Sequence, residues 1–435
     1  MHHFYIKDNR LYAENFLVED LAKEYGTPLY IYSKNQILEN YREINQPLVN
    51  SKLDFLNCYA IKANSNPEIL KILSEEGAGA EVSSGGELYL SLKFGYLRNK
   101  ITYTGVGKTD SEIEYALREN IFNFTVESLQ EIKVISELAH KLSVIARISI
   151  RVNPDINAKT HPYITTGMKE NKFGIDSKDI IDVFQQAFRL PNIDIIGIHS
   201  HIGSQITEVE PYIEAVKYLG ELIGQLEKLG INIRYLNFGG GFGVQYKNVL
   251  THRYIPVEED LPDSPSGQAG DIKKYATLGE HIESVINLLT SLNKKLVIEP
   301  GRSLVANGGI LAGKVLYTKQ GELKKFVITD TGMNDLMRPC LYQAYHQVVP
   351  ATLKDTGTEK VDIVGPVCET SDFLAANRCI QKMERNDYFA VMTTGAYGYS
   401  LSSNYNARVR PAEVLVDGDK QQLIRPREKW EELHY

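Results

Sequence analysis

The stretch Phe55-Leu56-Asn57-Cys58-Tyr59-Ala60-Ile61-Lys62-Ala63-Asn64-Ser65-Asn66-Pro67 decides the reading of the chain. Its apolar run from Phe55 to Ile61 reads as a buried strand, Asn64-Ser65-Asn66 ends it, and Pro67 opens a helix carrying Ile69, Leu70, Ile72 and Leu73. The unit then repeats. Further strands are expected at 80–82, 101–104, 121–126, 144–152, 193–199, 233–238 and 295–299, with helical patterns at 86–94, 111–119, 127–141, 177–189, 209–229 and 275–291 between them. Strands alternating with helices imply parallel pairing through crossovers, and eight such units predict a closed (β/α)8 barrel of the TIM type over residues 33–300.

Outside the barrel the pattern changes. Residues 1–32 read as short alternating strands, at 4–6, 11–13 and 29–32, and Ser33 as the N-cap of a helix that ends at Pro47. Beyond Gly301 the period is two, with strands expected at 310–318, 325–329, 361–364, 389–393 and 413–416. Residues 1–32 and 301–435 are therefore expected to form one discontinuous, β-rich domain. Residues 247–271 interrupt the alternation between the seventh strand and its helix; their polar, proline-rich character reads as a solvated excursion, with a lid over the active face as the functional alternative.

Composition narrows the functional classes. The chain has 435 residues, 43% of them hydrophobic and 24% charged, the range of a folded globular protein. A net charge of −7 and the lack of a Lys/Arg-rich block argue against a nucleic-acid partner. No signal-peptide core and no membrane-spanning apolar run is visible, so a cytoplasmic location without a membrane partner is expected. The four cysteines, Cys58, Cys340, Cys368 and Cys379, form no C-x-x-C pair, and no metal site is expected.

The residues with chemical potential fall at strand ends. Lys62 follows the first strand, Glu81 ends the second, His199-Ser200-His201-Ile202-Gly203-Ser204 follows the sixth, Gly239-Gly240-Gly241 the seventh and Glu299-Pro300-Gly301-Arg302 the eighth. That rim is where (β/α)8 proteins act. A lysine ending a buried strand loses hydration, which lowers its pKa and frees the amine for attack on a carbonyl; a lysine snorkelling to solvent is the plain alternative. The glycines expose backbone N–H groups to an anion, Gly301 and Arg302 add an amide and a charge, and Ser204 offers a hydroxyl, which together suit a phosphate. With Lys62 for covalent attachment, Glu299 to keep a pyridine nitrogen protonated and His201 to stack on a ring, the set fits pyridoxal 5'-phosphate (PLP).

Tyr59 to Asn64, Ser84-Gly85-Gly86-Glu87-Leu88, His201 to Gln205, Glu299 to Arg302, Met337-Arg338-Pro339, Cys368-Glu369-Thr370-Ser371-Asp372 and Gly395-Ala396-Tyr397-Gly398 together resemble the diaminopimelate decarboxylases. These are the lysine-forming members of the alanine racemase and ornithine decarboxylase fold type. The departures are Glu81, where relatives often have Asp, Thr370, where Ser is common, and the long 247–271 insertion. The resemblance implies a PLP enzyme with Lys62 as the attachment lysine, Gly241, Glu299, Gly301, Arg302, Ser204 and Tyr397 around the cofactor, and Cys368 as proton donor. It further implies a homodimer in which active sites are shared between subunits.

Charge extends this to the substrate. Arg302 and Arg338 suit a carboxylate, Glu369 an ammonium, and Tyr342 a further hydrogen bond. meso-Diaminopimelate presents an ammonium and a carboxylate remote from its reacting carbon, so decarboxylation to L-lysine, the last step of lysine biosynthesis, is the expected activity. A decarboxylase acting on another diamino or carrier-bound amino acid, and a silent PLP-binding module, are the alternatives; retention of Cys368, Glu369 and Tyr397 speaks against the second.

Overall fold

A computed structural model describes residues 2–156, 172–257 and 276–433. It divides into two compact units, Asn40–Gly243 with Lys274–Ser303, and Met1–Glu39 with Val244–Lys273 and Leu304–Tyr435.

The first unit is the expected barrel. Strands Phe55–Ala60, Gly79–Val82, Ile101–Tyr103, Asn123–Val126, Ala146–Asn153, Ile193–His199, Tyr235–Asn237 and Lys295–Ile298 pair in parallel in sequence order. The ring closes where Leu296 pairs with Phe55 and Ile298 with Asn57. A two-residue strand, Ile175–Asp176, pairs with Ala146–Asn153 outside the ring. Most helices begin where a side chain satisfies an orphan backbone donor: Asn66, Ser84, Thr109, Ser128 and Thr277 each accept an N–H of the first turn. The helix after Ser33 starts as expected, with Ser33 Oγ accepting the Gln36 N–H at 3.0 Å. It continues through Pro47 to Ser51, however, despite the hydrogen bond that an interior proline forgoes.

The barrel is packed in layers. Leu56, Cys58, Ile196, Tyr235 and Val297 form an apolar cluster, and Gly197 is glycine because a Cβ there would run into the Tyr235 ring. Asn123, Thr125 and Ser149 form a buried polar group, in which Asn123 Nδ2 donates to Ser149 Oγ at 2.9 Å.

The second unit is mainly β. Its large sheet runs Phe373–Gln381, Thr358–Val364, Lys325–Thr329, Gly309–Gln320, Leu29–Ser33, Ala412–Asp417, Lys420–Arg425, and Tyr388–Val391 bridges Gly309–Gln320 to Val348–Pro350. Only one N-terminal strand joins this sheet. Leu29–Ser33 lies between Gly309–Gln320 and Ala412–Asp417, whereas Phe4–Lys7, Arg10–Ala13 and Phe16–Leu17 make a separate three-stranded sheet. The expectation that residues 1–32 are strands alone also fails at Val18–Tyr25, a helix burying Val18, Leu21 and Ala22.

The 247–271 insertion needs a correction over its described part. Leu250 and Ile255 are buried in the same core as Phe4, Leu29, Ile310 and Val414, so 247–257 is not a solvated excursion. Gln347 holds it by pairing with both backbone groups of Leu250, at 2.9 Å each. Residues 258–271 lie outside the described residues, and the lid reading falls on them.

Candidate active site

The strand carrying Lys62 ends at Ala60, and the lysine sits in a 3-10 turn, Ile61–Ala63. The strand is buried, but the lysine is not. Its side chain is 49% exposed, so the desolvation expected of it is absent; its Nζ is held instead by Glu81 Oε2 at 2.9 Å. Glu81 is reached because it pairs in register with Ala60 on the neighbouring strand. The Glu81 carboxylate is itself fully buried and accepts the hydroxyls of Thr104 and, at 3.1 Å, Ser83. Glu87 adds a second carboxyl to this corner. Burial and the charge of Glu81 push its pKa up to about 7, against the Ser83 backbone N–H, which donates to it at 2.6 Å.

Glu299 follows the eighth strand and is nearly buried. Asn237 Nδ2 at 2.7 Å and Thr102 Oγ1 at 3.1 Å donate to its Oε1, and His199 Nε2 lies 3.0 Å from its Oε2. Asn237 lies on the adjoining seventh strand, whereas Thr102 and His199 come from the third and sixth strands, which do not adjoin the eighth, so their bonds cross the barrel interior. Burial alone would raise the Glu299 pKa, but the His199 charge and the hydrogen bonds from His199 and Asn237 lower it and keep the carboxylate ionised. A carboxylate offers about four acceptor positions, and three are filled, which leaves one for a ligand N–H.

The glycine run closes around this carboxylate. Gly239 has φ +73° and a Cβ there would press on the His201 ring; a Cβ on Gly240 would meet the Glu299 carbonyl oxygen, and one on Gly241, at φ +93°, the Gly203 carbonyl oxygen. Gly240 donates its N–H to His201 Nδ1 at 3.3 Å. Burial, reinforced by the charges of Arg151 and Lys62, holds His201 well below the ordinary imidazole pKa, so the ring is neutral with its proton on Nε2. Arg302 Nη2 donates to Ser204 Oγ at 3.1 Å, and Gly301 packs where a Cβ would crowd Ala60 and Ala63. Lys62, His201, Ser204, Gly240, Gly241, Glu299, Gly301 and Arg302 are thus gathered on one barrel rim.

The remaining candidates belong to the β-rich unit. Cys368 is exposed, and its backbone N–H donates to Asn406 Oδ1 at 2.8 Å. Its loop is fastened by Asp372, whose buried carboxylate accepts the N–H groups of Met333 and Val367, each at 2.6 Å. The exposed Glu369 accepts from the Tyr405 hydroxyl at 3.3 Å. Tyr342 ends the short helix Arg338–Tyr342, and Tyr397 sits at φ +56°. Arg338 is fully buried, 2.8 Å from His346 Nε2 through its Nη1 and 4.7 Å from the Tyr246 ring centre.

Comparison with known proteins adds the deciding observation. Residues 34–306 match the family model "Pyridoxal-dependent decarboxylase, pyridoxal binding domain". The diaminopimelate decarboxylase of Aquifex aeolicus is 44% identical over 98% of this chain and 95% of its own length, and that of Haemophilus influenzae 43% identical over 100% and 98%. This chain belongs to the diaminopimelate decarboxylase family. Among solved structures, the Helicobacter pylori diaminopimelate decarboxylase complexed with L-lysine superposes with a TM-score of 0.86 at 38% identity, covering 95% of this chain and 98% of that one. The M. jannaschii enzyme in complex with L-lysine gives 0.89 at 36%, covering 99% and 96%.

Several residues that touch these candidates carry no signal in the sequence read alone. Thr102 and Asn237 are ordinary strand residues, and Thr104 directly follows a strand, until the barrel closes and turns them onto Glu299 and Glu81. Arg151, paired with Glu127 at 3.0 Å, is found only through its charge on His201. His346 and Tyr246 lie one hundred residues apart and meet only in the fold, at 5.0 Å between ring centres.

Proposed function

We propose that this member of the family uses PLP to remove carbon dioxide from meso-diaminopimelate, giving L-lysine, in a homodimer whose subunits share their active sites. The observation that carries the cofactor assignment is Glu299, an ionised carboxylate inside the barrel with one acceptor position left, close to a neutral histidine and a glycine cradle. Arg302, Ser204 and the Gly240 and Gly241 amides would hold the phosphate, His201 the ring face, and Lys62 the covalent link. When bound, PLP accepts the electron pair left as carbon dioxide departs.

The chain's own residues do the rest. Glu299 keeps a proton on the pyridine nitrogen, because a carboxylate held ionised favours the cation beside it. Glu81 orients the Lys62 amine. Cys368 returns a proton to the carbon that lost its carboxylate, a task for which thiols as a class are acidic enough near neutrality. Arg338 with Arg302 would neutralise the remote carboxylate of the substrate, Glu369 its ammonium, and Tyr342 and Tyr397 would complete the pocket. The L-lysine complexes of the two solved relatives support a product that keeps this remote end intact.

The test is product analysis after incubation with meso-diaminopimelate and PLP. L-lysine and carbon dioxide in equal amounts are expected. Turnover of another diamino acid with meso-diaminopimelate left untouched would overturn the substrate assignment.

A further inference from the structure

The guanidinium of Arg338 is held on two sides within the β-rich unit. Its Nη1 lies 2.8 Å from His346 Nε2, and His346 Nδ1 lies 2.8 Å from the Met392 carbonyl oxygen. A carbonyl only accepts, so Nδ1 carries the imidazole proton and Nε2 is the acceptor for the arginine N–H. The tautomer is fixed by the backbone. Tyr246 covers the guanidinium face at 4.7 Å and meets the His346 ring edge to face, at 5.0 Å and 78°. Tyr246 in turn is held with its segment, which Gln347, the neighbour of His346, fastens at Leu250. All three side chains are buried.

The geometry points to His346 as a positioning residue for Arg338, with Tyr246 as its second support, so that the segment after the seventh barrel strand sets the preference for a substrate carrying a remote carboxylate. The inference rests on the reading of Arg338 given under Proposed function. A buried arginine cannot sweep a pocket for its ligand, and His346 and Tyr246 fix the direction in which its guanidinium lies. Neither residue needs to touch the substrate. Their effect is on the direction of the arginine fork, which decides whether a carboxylate is met with two hydrogen bonds or one.

Two ligands separate the terms. L-lysine carries a carboxylate and an amine on one carbon and a second amine at its far end; 1,5-diaminopentane is the same molecule without the carboxylate. The inhibition constants of both are measured on the PLP-loaded dimer, and their ratio reads the carboxylate alone. In His346→Leu the preference for L-lysine is expected to fall roughly 10-fold or more, the order of one charge-assisted hydrogen bond, while 1,5-diaminopentane binds within about 3-fold of wild type. In His346→Gln, whose side-chain oxygen can accept the arginine N–H, most of the preference should return. If Arg338→Met removes the preference and His346→Leu leaves it intact, the inference is wrong and the assignment of Arg338 stands. If Arg338→Met leaves it intact, the assignment itself falls. Equal weakening of both ligands in His346→Leu would reduce His346 to a structural role and overturn the inference. Should His346→Leu fail to fold, Tyr246→Leu takes its place, with a lowered ratio in favour and an unchanged ratio against.

Discussion

Lys62 Nζ and Glu81 Oε2 face each other at 2.9 Å across the ends of adjacent barrel strands, one side chain half exposed and the other buried. The carboxylate is immobilised by Thr104 and Ser83, so the flexible lysine is tethered to a fixed point. Borohydride treatment of the PLP-loaded protein should therefore fix the cofactor on Lys62. Recovery of the reduced adduct on a peptide lacking Lys62 would refute this assignment.

Cys368 is exposed on a loop fastened by Asp372, as suits a residue presented to a second chain. Lys62→Ala and Cys368→Ala proteins should each be nearly inactive. Mixed and allowed to exchange subunits, they should regain activity, because in the proposed shared-site dimer one of the two sites of a mixed pair receives both intact residues. No recovery after demonstrated exchange would place Cys368 in the site of its own chain.

Arg338→Met should lower kcat/KM for meso-diaminopimelate by at least about 30-fold, the low end of the 2 to 5 kcal/mol lost when one partner of a buried charged pair is truncated. Cofactor absorbance should be unchanged. Loss of PLP in this variant would show that the arginine supports the fold rather than the substrate.

His281 predicts an acid-sensitive barrel. The ring is 1% exposed, packs against Tyr212 and Phe242, and neither nitrogen has a hydrogen-bond partner among the described residues. Burial lowers its pKa from 6.5 to about 4. The unfolded chain binds the proton first, so this contribution to stability is complete above about pH 6.5 and is lost as pH falls towards about 4. Across that window it amounts to up to about 3 kcal/mol. His281→Leu should flatten the fall in Tm between pH 7 and pH 5 relative to wild type. Parallel curves for the two proteins would show that other groups govern the acid limit.

The barrel is legible because its signals are local and repeated: an apolar run and a helical pattern alternate along the chain, and Asn66, Ser84 and Thr109 mark helix starts within the sequence itself. The β-rich unit hides more. Phe373–Gln381 lacks strict alternation, its pairing with Thr358–Val364 being broken by register shifts, and Lys420–Arg425 is a polar edge strand with little apolar surface. Val18–Tyr25 starts at Leu17 with no side-chain cap, so no residue announces the helix. In the site, Lys62 and Glu299 stand out as charges at the ends of apolar runs. The expected desolvation of Lys62 fails because its stem leaves the strand through the Ile61–Ala63 turn, a backbone feature that burial patterns do not encode.

The strand Leu29–Ser33 has a consequence for how the protein is made. All five residues are buried, and its two neighbours, Gly309–Gln320 and Ala412–Asp417, are hundreds of residues further along the chain. During synthesis this strand leaves the ribosome early with both edges unpaired; one edge waits for Gly309–Gln320, and the other stays open until Ala412–Asp417, near the end of the chain, has followed. The barrel helices and strands, paired mainly with near neighbours in sequence, can assemble meanwhile. A chain cut short before Ala412 would keep every barrel strand and still carry an open, apolar ribbon at its N-terminal end, which makes truncated products of this gene candidates for aggregation rather than for partial activity.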